Sequence, residues 1–153
     1  MNKWDKRFMD LAFEIGNWSS CYKENRQVGA VIVKDKRILA TGYNGAPSGV
    51  FSCKDKGFCM RIEENIPSGT QLEKCYAIHA EQNAIIQAAK VGVPIDGATL
   101  YCTHKPCTIC TKMIINVGIK KVVYGVDYPD EFSERLFEEA KVELCKYEGE
   151  LNI

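Results

Sequence analysis

The first hydrophobic pattern along the chain has the period of a helix. Apolar residues recur every three or four positions, at Trp4, Phe8, Leu11, Ala12 and Ile15. This spacing predicts a helix over residues ~3–18. Two short apolar runs follow at 28–33 and 37–42. The polar residues 34–36 between them predict the turn of a β-hairpin.

The second half of the chain alternates between helical and strand patterns. Predicted helices lie at 81–90, 107–117 and 131–140, and predicted strands at 98–103, 120–126 and 142–147. With the first helix and the hairpin, the order is α-β-β-α-β-α-β-α-β. This order predicts an α/β fold: a three-layer α/β/α sandwich with a central mixed five-stranded sheet.

One segment interrupts this regular order. Residues 43–49 are dense in Gly, Asn, Pro and Ser, which indicates a loop, and residues 50–78 carry little periodicity. An irregular segment of nearly thirty residues is too long for an ordinary connection, so it is expected to be functional or metal-bound. We therefore predict one domain over residues 1–153, with a long cysteine-bearing insertion at about 43–78.

Composition narrows the possible partners. The chain has 20 basic and 20 acidic residues and a formal net charge of zero, which argues against a dominant nucleic-acid-binding face but leaves room for a local basic pocket. It contains no apolar run of the ~18 residues needed to span a membrane. No signal peptide is visible in the charged N-terminal residues. Eight cysteines without an export signal suggest metal ligands before disulfides, and a cytoplasmic location is expected.

The strongest chemical signal is a pair of motifs that enclose one helix and one strand. His79-Ala80-Glu81 opens this stretch, and Pro106-Cys107-Thr108-Ile109-Cys110 closes it. An imidazole and two thiolates give zinc three protein ligands and leave a fourth position for water. A Cys-x-x-Cys pair alone is often a redox pair, and a lone His is usually structural. The coincidence of His79, Glu81, Cys107 and Cys110 favours a catalytic zinc site over both alternatives.

Both motifs stand where a predicted helix begins. His79 and Glu81 are expected in the first turn of the helix that continues to Lys90, and Pro106 is suited to open the next one. The positive end of a helix dipole favours anions such as thiolates. Two helix N-termini that face each other would therefore build the site.

Together with the segments 42–45 and 75–85, these motifs give the chain a resemblance to the deoxycytidylate (dCMP) deaminases of the cytidine-deaminase-like superfamily. The resemblance extends from Val28 to about Tyr128. It implies that His79, Cys107 and Cys110 hold a catalytic zinc ion and that Glu81 is the proton shuttle. It also implies that Asn44 and Ala80 contact the substrate; Asn44 would bond the deoxyribose or hold the pocket loop.

The function implied by the resemblance is hydrolytic deamination of dCMP to dUMP with release of ammonia, which supplies dUMP for thymidylate synthesis. The partner is then a small nucleotide. The family also suggests dCTP and dTTP as effectors and a homo-oligomer, in many members a hexamer. Two alternatives remain open: a deaminase of cytidine, guanine or tRNA adenosine, and a zinc-stabilised nucleic-acid-binding module.

Four further cysteines suggest a second metal ion. Cys21, Cys53, Cys59 and Cys75 lie in or beside the irregular segments, where a closed four-cysteine zinc site would compensate for the lack of an apolar core. Some phage members of the family bind a second zinc here, and Cys21 and Cys53 match two of its ligands. The alternative is that the four are unlinked, partly buried thiols.

A monophosphate substrate also requires at least one cation near the site, because an unpaired phosphate dianion is costly to desolvate. The sequence offers Arg26, Lys54, Arg61 and Lys105 in the loops near the motifs. Most surface Lys and Arg side chains are merely solvated. The sequence alone therefore does not select among these four.

Overall fold

The protein is described from a computed structural model, which covers residues 1–23 and 26–151. The α-helices are α1 (Lys3–Gly16), α2 (Cys53–Lys56), α3 (Met60–Glu63), α4 (Ala80–Val91), α5 (Thr108–Asn116) and α6 (Glu131–Glu139), and a short 3₁₀ helix spans Leu72–Lys74. The strands are β1 (Gly29–Lys34), β2 (Arg37–Tyr43), β3 (Thr99–His104), β4 (Lys121–Val126) and β5 (Glu143–Lys146). Each helix and strand predicted from periodicity is present.

The strands form a five-stranded sheet in the order β2-β1-β3-β4-β5. The first two pairings, β2 with β1 and β1 with β3, are antiparallel. The pairings of β3 with β4 and of β4 with β5 are parallel. Parallel neighbours need crossover connections, and here the connecting elements are α5 and α6. The predicted mixed sheet is therefore confirmed.

Alternating residues of the strands supply two separate apolar cores, one on each face of the sheet. On β1, Ile32 belongs to the core that contains residues of α4, α5 and α6, whereas Val31 belongs to the core that contains residues of α1. On β3, Leu100 and Tyr101 divide in the same way. Alternation of side chains with a period of two is the geometry of a β-strand. Because helices pack on both faces of the sheet, the predicted three-layer arrangement is confirmed.

The predicted hairpin turn adopts the backbone conformation that its short length requires. Asp35 and Lys36 join β1 to β2 with φ values of 52° and 63°. Positive φ at both central residues is the geometry of a type I′ turn, whose twist matches that of the flanking strands.

The insertion between β2 and α4 begins and ends at one small β-bridge. Gly45 and Ile78 pair in antiparallel fashion, with N–H to O=C distances of 3.2 and 2.8 Å. The chain between them was predicted to lack regular structure, but it contains α2, α3 and the 3₁₀ helix. Elements of three or four residues are too short to produce a hydrophobic period, so their sequence pattern could not reveal them.

Within residues 1–23 and 26–151, no helix has both the length and the apolar character needed to cross a membrane.

Candidate active site

The three predicted zinc ligands lie together at the starts of two helices. His79 is the N-cap of α4 and Cys107 is the N-cap of α5. The Nδ1 atom of His79 lies 3.2 Å from Sγ of Cys110 and 3.6 Å from Sγ of Cys107. All three ligand atoms lie within 4.8 Å of one another. The two helix N-termini therefore face each other as the sequence predicted, with His79 and Cys107 one position before their helices.

The spacing of these atoms fits a tetrahedral zinc ion. With Zn–N near 2.0 Å and Zn–S near 2.3 Å, a tetrahedral angle places nitrogen and sulfur about 3.6 Å apart. The two nitrogen–sulfur distances are 3.2 and 3.6 Å, so an ion could enter with only small movements of the side chains. The donor set of one imidazole and two thiols is also the set that zinc prefers.

The electrostatics of the site favour a thiolate. Hydrogen bonds with the Cys110 thiol and His79 lower the pKa of the Cys107 thiol to about 4, despite its partial burial. The hydrogen bond to Cys107 raises the pKa of His79. The hydrogen bond with Cys107, burial and the charge of Glu81 raise the pKa of Cys110. Of the two thiols, Cys107 is therefore the one that ionises first.

Glu81 is the carboxylate of the site, and it is not part of the ligand group. It is the second residue of α4, only 5% of its surface is exposed, and it lines the same cleft as His79 and Cys107. Burial raises the pKa of Glu81, and the hydrogen bond with Cys110 and the charge of His79 oppose that rise only in part. A carboxyl group with a raised pKa is suited to accept and return a proton near neutral pH.

The close approach of α4 to β2 fixes His79 and Glu81 in place. Gly42 on β2 has no side chain, and a Cβ atom there would collide with the carbonyl oxygen of Ala80. The side chain of Asn83 donates to the carbonyl of Tyr43 at 2.8 Å. Ala80 itself is fully buried and lines the cleft. The predicted contact of Ala80 with the substrate remains a prediction.

The start of α5 is held by Asp130, a residue that the sequence patterns did not single out. Its carboxylate accepts hydrogen bonds from the N–H and the hydroxyl of Thr108, both at 2.8 Å, and from the N–H of Ser133 at 2.9 Å. The hydroxyl of Ser133 donates to the carbonyl of Pro106 at 3.0 Å. Asp130 therefore caps α6 and fixes the loop that carries Cys107. An Asp directly before a predicted helix was the available signal.

Asn44 stands directly after β2 and holds a neighbouring loop. Its amide nitrogen donates to the carbonyl of Arg26 at 2.6 Å, and its amide oxygen accepts from the N–H of Val28 at 3.0 Å. Asn44 also lines the cleft, with 9% of its surface exposed. Asn44 thus ties the end of β2 to the residues before β1, and its role toward the substrate remains a prediction.

The other four predicted ligands are grouped less closely than His79, Cys107 and Cys110. Cys53 and Cys59 are buried, and Cys21 and Cys75 are half-buried. Cys21, Cys59 and Cys75 line the cleft. Among the residues that the structure describes, these four do not form a group with ligand atoms as close as those of His79, Cys107 and Cys110. The four cysteines therefore do not form a preassembled site within the described part of the chain.

Comparison with known proteins gives a consistent family match. The family model described as "Cytidine and deoxycytidylate deaminase zinc-binding region" matches residues 2–126. The chain is 42% identical to ComE operon protein 2 of Bacillus subtilis over 95% of its own length and 71% of that protein. It is 39% identical to the deoxycytidylate deaminase of Schizosaccharomyces pombe over 94% of its length, but it spans only 44% of that relative.

A solved structure agrees with these matches. The dCMP deaminase of the cyanophage S-TIM5, crystallised in complex with dCMP and dUMP, is similar with a TM-score of 0.78 and 36% identity. The match covers 96% of this chain and 99% of the phage protein. The sheet and its flanking helices, and not only the short motifs, are therefore shared with this protein.

Proposed function

The chain belongs to the cytidine and deoxycytidylate deaminase family, and on that premise we propose that it hydrolyses dCMP to dUMP and ammonia. The observation that carries the proposal is the buried carboxyl group of Glu81 beside a three-ligand zinc site in one cleft. Three protein ligands leave a coordination position open, as catalytic zinc sites do. The similarity to a deaminase crystallised with dCMP and dUMP supports this choice of substrate.

His79, Cys107 and Cys110 would hold the zinc ion. When bound, zinc acts as a Lewis acid that makes water a nucleophile at neutral pH. The thiol of Cys107, with its low pKa, is suited to this ligand role because metal-bound cysteine is the thiolate. The remaining chemistry requires proton transfers, which a metal ion cannot perform.

Glu81 would perform these transfers. It takes a proton from water as the oxygen adds to C4 of the cytosine ring, and it passes that proton to ring N3. Glu81 then takes the second proton from the oxygen now bonded to C4 and delivers it to the amino group, so the C4 carbonyl forms as the C4–N bond breaks and ammonia leaves. One water molecule is consumed, and one dUMP and one ammonia are formed. The raised pKa of Glu81 lets the same carboxyl group act first as a base and then as an acid.

The proposed substrate is tested by measuring ammonia release and kcat/KM with dCMP, CMP, deoxycytidine, dCTP and guanine at equal zinc loading. We expect kcat/KM for dCMP to exceed that for deoxycytidine by at least roughly 100-fold, since charge-assisted bonds to the phosphate are lost with the nucleoside. Equal or better turnover of deoxycytidine or guanine would reject the monophosphate assignment and leave the deaminase chemistry standing.

We also propose a second, structural zinc held by four of the six other cysteines, Cys21, Cys53, Cys59 and Cys75. Burial raises the pKa values of Cys21 and Cys53, and neighbouring cysteines add to the rise. Metal-bound cysteine is the thiolate, so a zinc ion would ionise these buried thiols. It would also stabilise a segment whose helices are only three or four residues long.

The metal content of protein purified without chelators tests this second site. We expect two zinc ions per chain in the parent, one in Cys53→Ser, and two in the control Cys145→Ser, whose thiol bonds to Glu143 on β5. A single zinc ion in the parent would show that these four cysteines are unlinked thiols.

Several broader expectations belong to the same proposal. Residues 1–153 would form one zinc-dependent deaminase domain that acts in the cytoplasm and supplies dUMP for thymidylate synthesis. The active form would be a homo-oligomer, a hexamer as is common in the family, and dCTP and dTTP would be its effectors. Nucleic acid would not be a substrate, because the net charge is zero.

A further inference from the structure

We propose that Asp130 is a positioning residue for the catalytic zinc: it holds the loop that carries Cys107, and this hold sets how tightly the ion is retained. The inference rests on the zinc site of the proposed function and adds a residue outside the ligand group. Side chains that orient metal ligands without touching the metal typically contribute about 10- to 100-fold to metal affinity.

The carboxylate of Asp130 serves the starts of two helices. At the start of α6 it accepts from the N–H of Ser133 at 2.9 Å. At the start of α5 it accepts from the N–H and the hydroxyl of Thr108, both at 2.8 Å. The N–H groups in the first turn of a helix have no partner within the helix, so these bonds connect the two starts directly. Because Thr108 follows Cys107, the backbone of this zinc ligand is tied to Asp130.

Ser133 adds two contacts to the same loop. Its hydroxyl donates to the carbonyl of Pro106 at 3.0 Å and lies 2.6 Å from the hydroxyl of Thr111. Ser133 and Thr111 are both fully buried, so water does not compete for these bonds. Thr111 in turn donates its N–H to the carbonyl of Cys107 at 2.9 Å. The backbone of Cys107 is thus held from both sides, through Pro106 and through Thr108.

An ion pair connects the same two segments on the other side of Cys107. Lys105 lies two residues before this ligand, and only 3% of its side chain is exposed. Its ammonium group is 2.6 Å from Glu134 and 3.3 Å from Asp127. Both carboxylates belong to the stretch of chain that contains Asp130. This stretch therefore forms a frame for the loop that carries the zinc ligand.

The charge state of Asp130 suits this role. Burial would raise the pKa of its carboxyl group, but hydrogen bonds from Ser133 and Thr108 and the charge of Lys105 lower the pKa overall. At neutral pH the group is therefore a carboxylate, and its two oxygens accept all three hydrogen bonds. An amide at this position would offer one acceptor oxygen and would place an NH₂ group against one of the donors.

The test measures zinc affinity by competition with a chromogenic chelator. We expect Asp130→Ser to weaken the catalytic site by roughly 10- to 100-fold, because serine can cap α6 but is too short to reach Thr108 as well. Asp130→Asn should lose part of this affinity. Thr108→Val removes one hydrogen bond, leaves the α6 cap in place and should weaken zinc binding about threefold or more. The control Glu131→Gln removes an exposed charge at the next position and should stay within about twofold of the parent.

Two further measurements make the comparison specific. The catalytic site is identified as the binding phase that Cys110→Ser lacks. Thermal unfolding of the metal-free variants separates positioning of the ligand loop from general support of the fold. A merely structural Asp130 would lower the unfolding temperature of Asp130→Ser while the folded protein kept zinc affinity within about threefold of the parent. That result would overturn the proposal, as would an equally large loss of affinity in Glu131→Gln.

The outcomes separate this inference from the function on which it rests. If Asp130→Ser does not fold, Thr108→Val decides, and parent-like zinc affinity in that variant rejects the positioning role. The measurement uses no nucleotide, so a parent that prefers another substrate would change the proposed substrate and leave the role of Asp130 intact. A parent without a tight zinc phase that depends on Cys110 would defeat the proposed function, and the positioning role with it.

Discussion

Replacement of Glu81 by Gln is expected to lower kcat for dCMP by roughly 1,000-fold while zinc content and folding stay at the parent level. Glutamine has nearly the same shape, so the buried position of Glu81 would still be filled. Its amide cannot accept a proton from water and return it to the ring or the leaving amine. Because Glu81 lies outside the ligand group, the metal should be retained.

The control for this substitution is Glu139→Gln, which changes an exposed carboxylate on α6 and should leave kcat within about twofold of the parent. Zinc analysis and thermal unfolding of each variant show whether a loss of turnover has a structural cause. Turnover by Glu81→Gln within about tenfold of the parent would show that another group transfers the proton.

Replacement of Cys110 by Ser is expected to remove the catalytic zinc and more than about 99% of the turnover together, because a neutral hydroxyl is a far weaker zinc ligand than a thiolate. Cys110 is fully buried and lies 3.2 Å from Nδ1 of His79, so no water-exposed side chain can take its place. Activity and zinc content should fall in parallel, in contrast to the result expected for Glu81→Gln.

Cys145→Ser is the matched control for this second substitution. Cys145 is a half-buried cysteine on β5 whose thiol bonds to Glu143, and we expect this variant to keep both zinc and activity. Added zinc should restore little activity to Cys110→Ser. Full zinc occupancy in active Cys110→Ser protein would mean that Cys110 is not a ligand.

Hydrophobic periodicity was sufficient to predict the sheet and its covering helices. On β1 and β3, buried residues alternate between the two cores, and on α1 one apolar stripe faces the sheet. The sequence pattern therefore predicts these elements. The predicted end of α1 was two residues late: the helix ends at Gly16 and Asn17 is its C-cap. Helix ends depend on cap geometry more than on periodicity.

The reactive residues of the site were predictable because their chemistry is local. His79 and Glu81 are neighbours at one helix start, and Cys107 and Cys110 share another. Their supporting contacts connect distant parts of the chain and leave no comparable pattern. Asp130 accepts a hydrogen bond from Thr108, which lies 22 positions earlier in the sequence, and Asn44 donates one to Arg26, 18 positions earlier. Only the folded chain shows these hydrogen bonds.

The roles of the basic residues could not be predicted from the sequence either. In the sequence, Arg26 and Arg61 were equal candidates for a phosphate contact. Folding directs the Arg61 side chain onto two backbone carbonyls, whereas Arg26 is exposed and lines the cleft. The charge of a side chain can be predicted from the sequence, but the presence of a competing partner depends on tertiary contacts.

The most direct test of the central claim is to incubate the zinc-loaded parent with dCMP in water enriched in heavy oxygen and to analyse the product by mass spectrometry. Hydrolytic deamination predicts dUMP with one labelled oxygen at C4 and one ammonia released per dUMP. Glu81→Gln under the same conditions should form almost none. Unchanged dCMP in the parent reaction, or ammonia without labelled dUMP, would contradict the proposed function.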